Sequence, residues 1–137
     1  MNYLQLNDQV SVSGQLVVED IELLAKEGVE LLICNRPDDE DEGQLPFQEI
    51  AVAAQAIGID TRLLPFASYQ IVNEDRDKFV EILCEKKRTH LYCRSGARSK
   101  RLWRVANKIG CGGHDFVSKD YGFGLRINID LFKYVDL

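Results

Sequence analysis

The chain has 137 residues, 45% of them hydrophobic and 28% charged, with a formal net charge of -5. That length and composition amount to a single domain over residues 1–137 with a core to bury, and exclude a disordered tail, a collagen-like fibre and a multidomain assembly. The net charge hides an asymmetry: Lys86 to Lys108 carries nine Lys/Arg and no Asp or Glu, whereas the rest has eight Lys/Arg against 22 acids, a net of -14.

Gly and Pro punctuate the chain into short elements. Asn2 to Leu6 and Gln9 to Ser13 read as two strands of a hairpin around Asn7-Asp8. Val18 to Lys26 is a helix with Ile21, Leu24 and Ala25 on its apolar face and Gly28 beyond its end. Glu30 to Cys34 is a short apolar run, as expected of a buried parallel strand, and Pro37 opens an acidic loop that continues to Pro46. Phe47 to Ile57 is a second helix closed by Gly58, and Asp60 to Leu64 a strand ended by Pro65. Asn73 reads as the N-cap of a helix to about Lys86, with Phe79, Ile82 and Leu83 facing inward. Thr89 to Tyr92 is a strand, Ala97 to Ile109 a helix ended by Gly110, and the tail two short helices around Gly122-Phe123-Gly124. Alternating strands and helices predict an α/β fold, with a central, mostly parallel sheet flanked by helices on both faces.

Met1 to Gly14 shows neither a basic n-region nor an apolar h-region, and no apolar run approaches the roughly 20 residues of a membrane helix. Cys34, Cys84, Cys93 and Cys111 form no CxxC pair and no regular spacing, so a disulfide framework is not expected. Free thiols and the absence of a leader give the expectation of a cytoplasmic protein without a membrane partner.

Sheets of this kind bind ligands beyond the carboxyl ends of their strands. The segment His90-Leu91-Tyr92-Cys93-Arg94-Ser95-Gly96-Ala97-Arg98-Ser99 puts a cysteine at a strand end, a glycine three residues on and an arginine five positions after the cysteine, as a helix begins. A tight strand-to-helix loop aims successive backbone N–H groups inward as an anion-binding nest, and the helix adds its positive end. Arg94, Ser95, Gly96 and Ala97 form that loop, and Gly96 permits a backbone conformation that a side chain opposes. Arg98 offers a planar fork to an oxyanion. The same field lowers the pKa of Cys93 and makes it a nucleophilic thiolate. Ser99 is placed to donate a hydrogen bond to the sulfur.

This loop resembles two related families. Cysteine-dependent tyrosine and dual-specificity phosphatases use His-Cys-x-x-Gly-x-x-Arg-Ser/Thr; the chain has the Cys, Gly, Arg and Ser, with one residue fewer between Gly96 and Arg98 and Tyr92 in place of the histidine. Rhodanese sulfurtransferases use a six-residue loop, often Cys-Arg-x-Gly-x-Arg/Thr, which Cys93 to Arg98 fits without a gap. Over residues 1–110 the chain is more similar to a third group, the phosphatase-like domains of the bacterial beta-lactamase hydrolase-like proteins, which have the dual-specificity phosphatase fold. The similarity rests on Val12-Ser13-Gly14-Gln15, on Ile33-Cys34-Asn35-Arg36-Pro37 with its acidic sequel, on Gly58 before a strand ending in Leu64-Pro65, and on Cys93 to Ser99.

The resemblance implies a cysteine-dependent hydrolase that passes a phosphate monoester, small or protein-borne, through a cysteinyl-phosphate. A seven-residue ring leaves room for a tetrahedral phosphate, while a six-residue ring suits a single sulfur atom. The alternative is therefore rhodanese-like transfer of a sulfane sulfur through a persulfide on Cys93, and a second alternative is a non-catalytic anion-binding or redox-sensing module.

A phosphatase also wants a general acid. The related phosphatases carry an aspartate some thirty residues before the cysteine, where Leu64 to Gln70 has no acid. Glu40 is the favoured candidate, since it follows Asn35-Arg36-Pro37 at a strand's carboxyl end, although Asp38 to Glu42 also reads as a solvated acidic loop. Arg36 either reaches the anion site or pairs with those acids. Alternation puts His90 on the opposite sheet face from Cys93, as a structural histidine. Cys34 is a core cysteine or a resolving thiol. Cys111-Gly-Gly-His114 is too sparse for a metal site, so no metal or cofactor is expected. Lys100, Arg104 and Lys108 share a solvated helix face. With -14 elsewhere and Trp103 the sole aromatic on that helix, no nucleic-acid partner is expected. Oligomeric state is not set by these features.

Overall fold

The computed structural model describes residues 1–67 and 71–119, with the backbone alone for 112–119. Among these are β1 (Tyr3–Gln5), β2 (Val10–Ser13), α1 (Val18–Lys26), β3 (Leu31–Cys34), α2 (Phe47–Ala56), β4 (Asp60–Leu63), α3 (Asn73–Leu83), β5 (Thr89–Tyr92) and α4 (Ala97–Lys119). The sheet order is β1-β2-β5-β3-β4, with β1 antiparallel and the other pairs parallel. The expected mostly parallel α/β fold is what the chain adopts.

The chain divides into two compact units: Met1–Tyr69 with Lys87–Lys100, and Gln70–Lys86 with the residues from Arg101 onward. The first holds the whole sheet, α1, α2 and the start of α4. Its hairpin turns where expected, because Asn7 Oδ1 accepts from the Gln9 and Val10 amides (2.9 and 2.7 Å). At the start of α1, Asp20 reaches back to the Val17 amide (2.9 Å), satisfying one free helix-end donor. Leu32, Cys34 and Tyr92 of one sheet face pack with Leu16, Ile21 and Leu24 around α1, and with Ile50 and Ala54 of α2. Each fully buried large side chain there contributes on the order of 2 kcal/mol. Val10, Val12, Leu31, Ile33 and Leu91, on the alternate positions of the strands, are buried as well. The central strand β5 is therefore apolar at Leu91 and Tyr92 on both sides, and its carboxyl end carries the Cys93 loop.

In the second unit, α3 begins at Asn73 but its N-cap is Val72, without a side-chain cap bond. Asn73 is therefore the first helical residue, a correction to its reading as the cap. Glu74 and Asp75 in the first turn place negative charge at the positive helix end instead. Phe79, Ile82 and Leu83 are buried as expected. The run Ala97–Lys119 is two helices meeting at Gly110, whose φ of 69° and ψ of 167° are not helical. The first helix thus ends at the expected glycine, and the second follows it directly to Lys119, ahead of Gly122, where a short tail helix is expected. Cys84, at the end of α3, and Cys111 form a disulfide across 27 positions, with Cα atoms 5.3 Å apart. That corrects the expectation of four free thiols; Cys34 and Cys93 are the free ones. The expected tail helices around Gly122 lie outside the described residues. No helix among the described residues is long and apolar enough to cross a membrane.

Candidate active site

The Cys93 loop leaves β5 and turns into α4 under a backbone clasp from the β2–α1 turn. The Cys93 amide donates to Ser13 O (3.4 Å) and the Gln15 amide to Arg94 O (3.2 Å). Two glycines make the approach possible. Gly96 has φ 96°, and a Cβ there would lie 3.3 Å from Ser13 C and O. A Cβ on Gly14 would lie 2.9 Å from Arg94 O. So the loop and the turn touch main chain to main chain.

The loop closes on the Cys93 sulfur, which is fully buried. The Gly96 amide donates to Sγ at 3.0 Å. Burial opposes ionisation and is the largest single influence on this thiol. It is outweighed by hydrogen bonds from the Ser99 amide and hydroxyl and from the Ser95 and Gly96 amides, which together hold the Cys93 pKa below its ordinary value. The Ser99 hydroxyl is within hydrogen-bond reach of two acceptors, the sulfur and Asn35 Oδ1 (2.8 Å), while Asn35 Nδ2 donates to Leu64 O (2.9 Å). Ser95 Oγ accepts from the Ala97 amide (3.4 Å) in the turn that starts α4.

Arg98 is held at three points. Nη1 donates to Glu40 Oε2 (2.6 Å) and Phe66 O (2.9 Å), and Nη2 to Glu40 Oε1 (2.7 Å). The guanidinium pKa is raised chiefly by Glu40 and in smaller part by the neighbouring Cys93. The Glu40 carboxyl is lowered from its usual range, chiefly by the Arg98 hydrogen bonds and further by Arg36. It is an ionised, arginine-bound carboxylate, which disfavours its use as a proton donor. Arg36, expected either at the anion site or among the acids, takes the second course, and is buried while doing so. Nε donates to Glu40 Oε1 (3.0 Å), Nη2 to Asp41 Oδ2 (2.6 Å) and Nη1 to Gln15 Oε1 (2.9 Å). Arg94 is exposed and pairs through Nε with Asp41 (3.1 Å).

The acidic loop is accordingly a built structure. Gln44 Oε1 accepts from the Glu40 and Asp41 amides (3.0 and 3.3 Å), Gln44 Nε2 donates to Pro37 O (3.0 Å), and Asp38 Oδ1 accepts from the Phe47 amide at the start of α2 (2.9 Å). A cavity of about 580 Å³ opens here, lined by Glu40, Asp41, Ala67, Arg94, Ser95 and Arg98. With Arg36 beneath it, the cavity sets three arginines against the carboxylates of Glu40 and Asp41.

The structure thus brings together Cys93, Arg98, Ser99, Glu40 and the loop residues, and keeps Arg36 one ion pair away. Tyr92 points into the core cluster and adds nothing to the site. Cys34 stays a thiol: burial is the main cause of its raised pKa, and its Sγ donates to Arg36 O (3.2 Å). Residue-by-residue reading of the sequence missed Asn35, Asp41, Gly14 and the Phe66 carbonyl. Asn35 and Gly14 stood inside the segments that carried the resemblance, but no spacing rule assigns them a partner. Among the described residues no group of three or more His, Cys, Asp or Glu is placed to hold a metal.

A sheet of this order, with a cysteine-to-arginine loop running from its central strand into a helix, defines the class: an α/β fold of the tyrosine and dual-specificity phosphatase type. The catalytic core of a PP-IP phosphatase from S. cerevisiae shares it, with a TM-score of 0.55 at 12% identity over 98% of this chain and 76% of that one. Residues 2–110 match the phosphatase-like domain of the beta-lactamase hydrolase-like proteins, and the chain belongs to that family. A beta-lactamase hydrolase-like protein of Agrobacterium fabrum is 27% identical over 110 residues, covering 80% of this chain. The match spans about a quarter of that relative's length (26%). A candidate phosphatase from Neisseria meningitidis superposes with a TM-score of 0.71 at 26% identity, covering 93% of this chain and 96% of that one.

Proposed function

We propose that the chain is a cysteine-dependent hydrolase of phosphate monoesters. The observation that carries this reading is the ring of amides from Ser95, Gly96 and Ser99 around the buried Cys93 sulfur, with Arg98 at its side. The thiolate attacks phosphorus, an S–P bond forms, and the P–O bond breaks with its electron pair leaving on the alcohol oxygen. Loop amides and Arg98 take the charge of the equatorial oxygens. Water then attacks the cysteinyl-phosphate and restores the thiolate. Glu40 serves this chemistry as the carboxylate that holds Arg98 in place, with Asn35 doing the same for Ser99. The family's phosphatase-like character and the cavity beside Arg94 and Arg98 support this reading.

A second reading is favoured by one specific observation: Cys93 to Arg98 is a six-residue ring whose arginine already shares its charge with Glu40. A sulfane sulfur needs no tetrahedral cage. In that reaction the thiolate attacks the outer sulfur of thiosulfate, sulfite leaves with the S–S electron pair, and a persulfide on Cys93 passes its sulfur to a nucleophile.

One paired assay separates the readings: an aryl phosphate, and thiosulfate with cyanide, each with wild type and Cys93→Ser. Phosphate release that the variant loses supports the lead. Thiocyanate formation with a persulfide mass on Cys93 supports sulfur transfer and overturns the lead. Neither product, with inorganic phosphate still bound, supports an anion-binding module instead.

A further inference from the structure

His90 is wholly buried in β5, and both of its ring nitrogens meet hydroxyls: Ser11 Oγ at Nδ1 (2.7 Å) and Ser13 Oγ at Nε2 (2.8 Å). The proton positions follow from donor counting. The one hydroxyl proton of Ser13 goes to Gly14 O (2.9 Å), so Ser13 Oγ accepts from the ring, and Nε2 carries the proton. Burial keeps the imidazole neutral, with a pKa pushed down to about 4. Nδ1 is then a bare lone pair that accepts the Ser11 hydroxyl proton.

The bonds continue beyond Ser13 in the same sense. The Gly14 carbonyl belongs to the peptide whose N–H is that of Gln15, and the Gln15 amide donates to Arg94 O (3.2 Å). The Arg94 carbonyl belongs to the peptide whose N–H is that of Ser95, one of the amides that stabilise the Cys93 thiolate. Every donor from Ser11 onward points toward the sulfur. Hydrogen bonds arranged head to tail polarise one another, so each link strengthens the next.

We propose that His90 is a positioning residue for Cys93, acting through a one-directional chain: Ser11, His90, Ser13, the Gly14–Gln15 peptide, the Arg94–Ser95 peptide, sulfur. The chain aims the Ser95 amide and adds to its polarity. It rests on the reading of Cys93 as the working thiolate. A histidine that merely satisfied its buried neighbours would stabilise the fold and leave the thiol unchanged, and the two roles give different measurements.

The test follows the pH dependence of Cys93 alkylation by iodoacetamide, with peptide mass spectrometry separating Cys93 from Cys34. Variants are Ser13→Ala and His90→Asn, which break the chain at its centre, and His90→Gln, whose amide nitrogen reaches the Nε2 position. In wild type, the half-maximal pH lies below that of an ordinary thiol. Ser13→Ala and His90→Asn should raise it by about half a unit to one unit, and His90→Gln should stay nearer wild type than His90→Asn. Folded Ser13→Ala and His90→Asn with the wild-type profile overturn the proposal. Equal shifts in both His90 variants overturn it too, since packing would then be the cause. A Ser13→Ala chain that does not fold assigns the hydroxyl to stability and counts against it as well. An ordinary titration of Cys93 in wild type would instead defeat the reading of the site itself.

Discussion

Glu40 grips Arg98 from fifty-eight positions away in the chain, with both carboxylate oxygens on both terminal guanidinium nitrogens at 2.6 and 2.7 Å. Two-point pairs of this kind fix the plane of the guanidinium as well as its position. The fork is therefore already oriented before any substrate arrives, and a third bond, from Nη1 to Phe66 O (2.9 Å), holds it from a second side.

Replacing Glu40 by Gln keeps the size and removes the charge. Losing a charge-assisted pair in this partly buried setting costs about 1–3 kcal/mol, which corresponds to a loss of kcat/KM of about 10- to 100-fold if the pair is made for catalysis. A pH–rate series tests the role. A clamp lowers the whole profile, whereas a general acid would remove its alkaline limb. Stability carries a second sign. The lowered Glu40 pKa means its stabilisation is present above the ordinary carboxylate value of about 4.3 and is lost as pH falls through the folded value. Wild type and Glu40→Gln should therefore converge in urea denaturation at low pH.

Gly96→Ala and Gly14→Ala should both disturb the Cys93 loop, for different reasons. At Gly96 the positive φ costs a side chain about 1–2 kcal/mol even before its Cβ meets Ser13. At Gly14 the new Cβ would press on Arg94 O from 2.9 Å and shift the carbonyl that the Gln15 amide holds. Thermal melts should show destabilisation in both, and Cys93 should alkylate more slowly at neutral pH. An unaltered Gly14→Ala would mean that the turn does not set the loop.

Buried His90 predicts acid sensitivity. Its folded pKa of about 4 lies below the ordinary value of 6.5, so the unfolded chain takes up the proton first. Stability from this group is complete above about pH 6.5 and falls progressively toward pH 4, by about 3 kcal/mol in all. Urea titrations at half-unit steps should show that slope, and His90→Gln should flatten it.

The Cys84–Cys111 bridge closes a 27-residue separation. On chain-entropy grounds it contributes about 3–4 kcal/mol against the unfolded state. Cys84→Ser should lower the melting temperature in non-reducing buffer, with wild type in strong reductant falling to the same value. Mass mapping without reduction should find the joined peptides.

Much of the local structure was readable because it is local. Hairpin, helices and buried strands follow from periodicity over a few residues, and the elements from β1 to the Gly110 end of the first α4 helix lie close to where apolar spacing and Gly or Pro signals place them. Asn73 was misplaced by one position because an amide side chain is compatible with both the cap and the first turn. Gly110 was recognised as a helix end, but nothing local says that a second helix starts at once. Of the site, the cysteine, the loop glycine, the arginine and the serine lie within seven residues of one another. That made the proposed nucleophile and its loop legible.

What the sequence by itself determined is the alternation of strands and helices and the position of a cysteine-to-arginine loop in an acid-free stretch of chain. Only the tertiary structure decided what surrounds that loop. Glu40 became the partner of Arg98, Asp41 of Arg94, and Asn35 of Ser99; Ser13 and Gly14 became the clasp beneath it, and Cys84 found Cys111. The physical reason is the parallel sheet. Crossover connections bring the carboxyl ends of β2, β3 and β5 side by side from residues 13, 34 and 92, so contacts of 2.6–3.4 Å join residues for which no sequence spacing predicts a meeting. The basic window of Lys86 to Lys108 contains the loop, and the acids that pair with Arg94 and Arg98 come from the opposite end of the charge pattern, in the loop after β3.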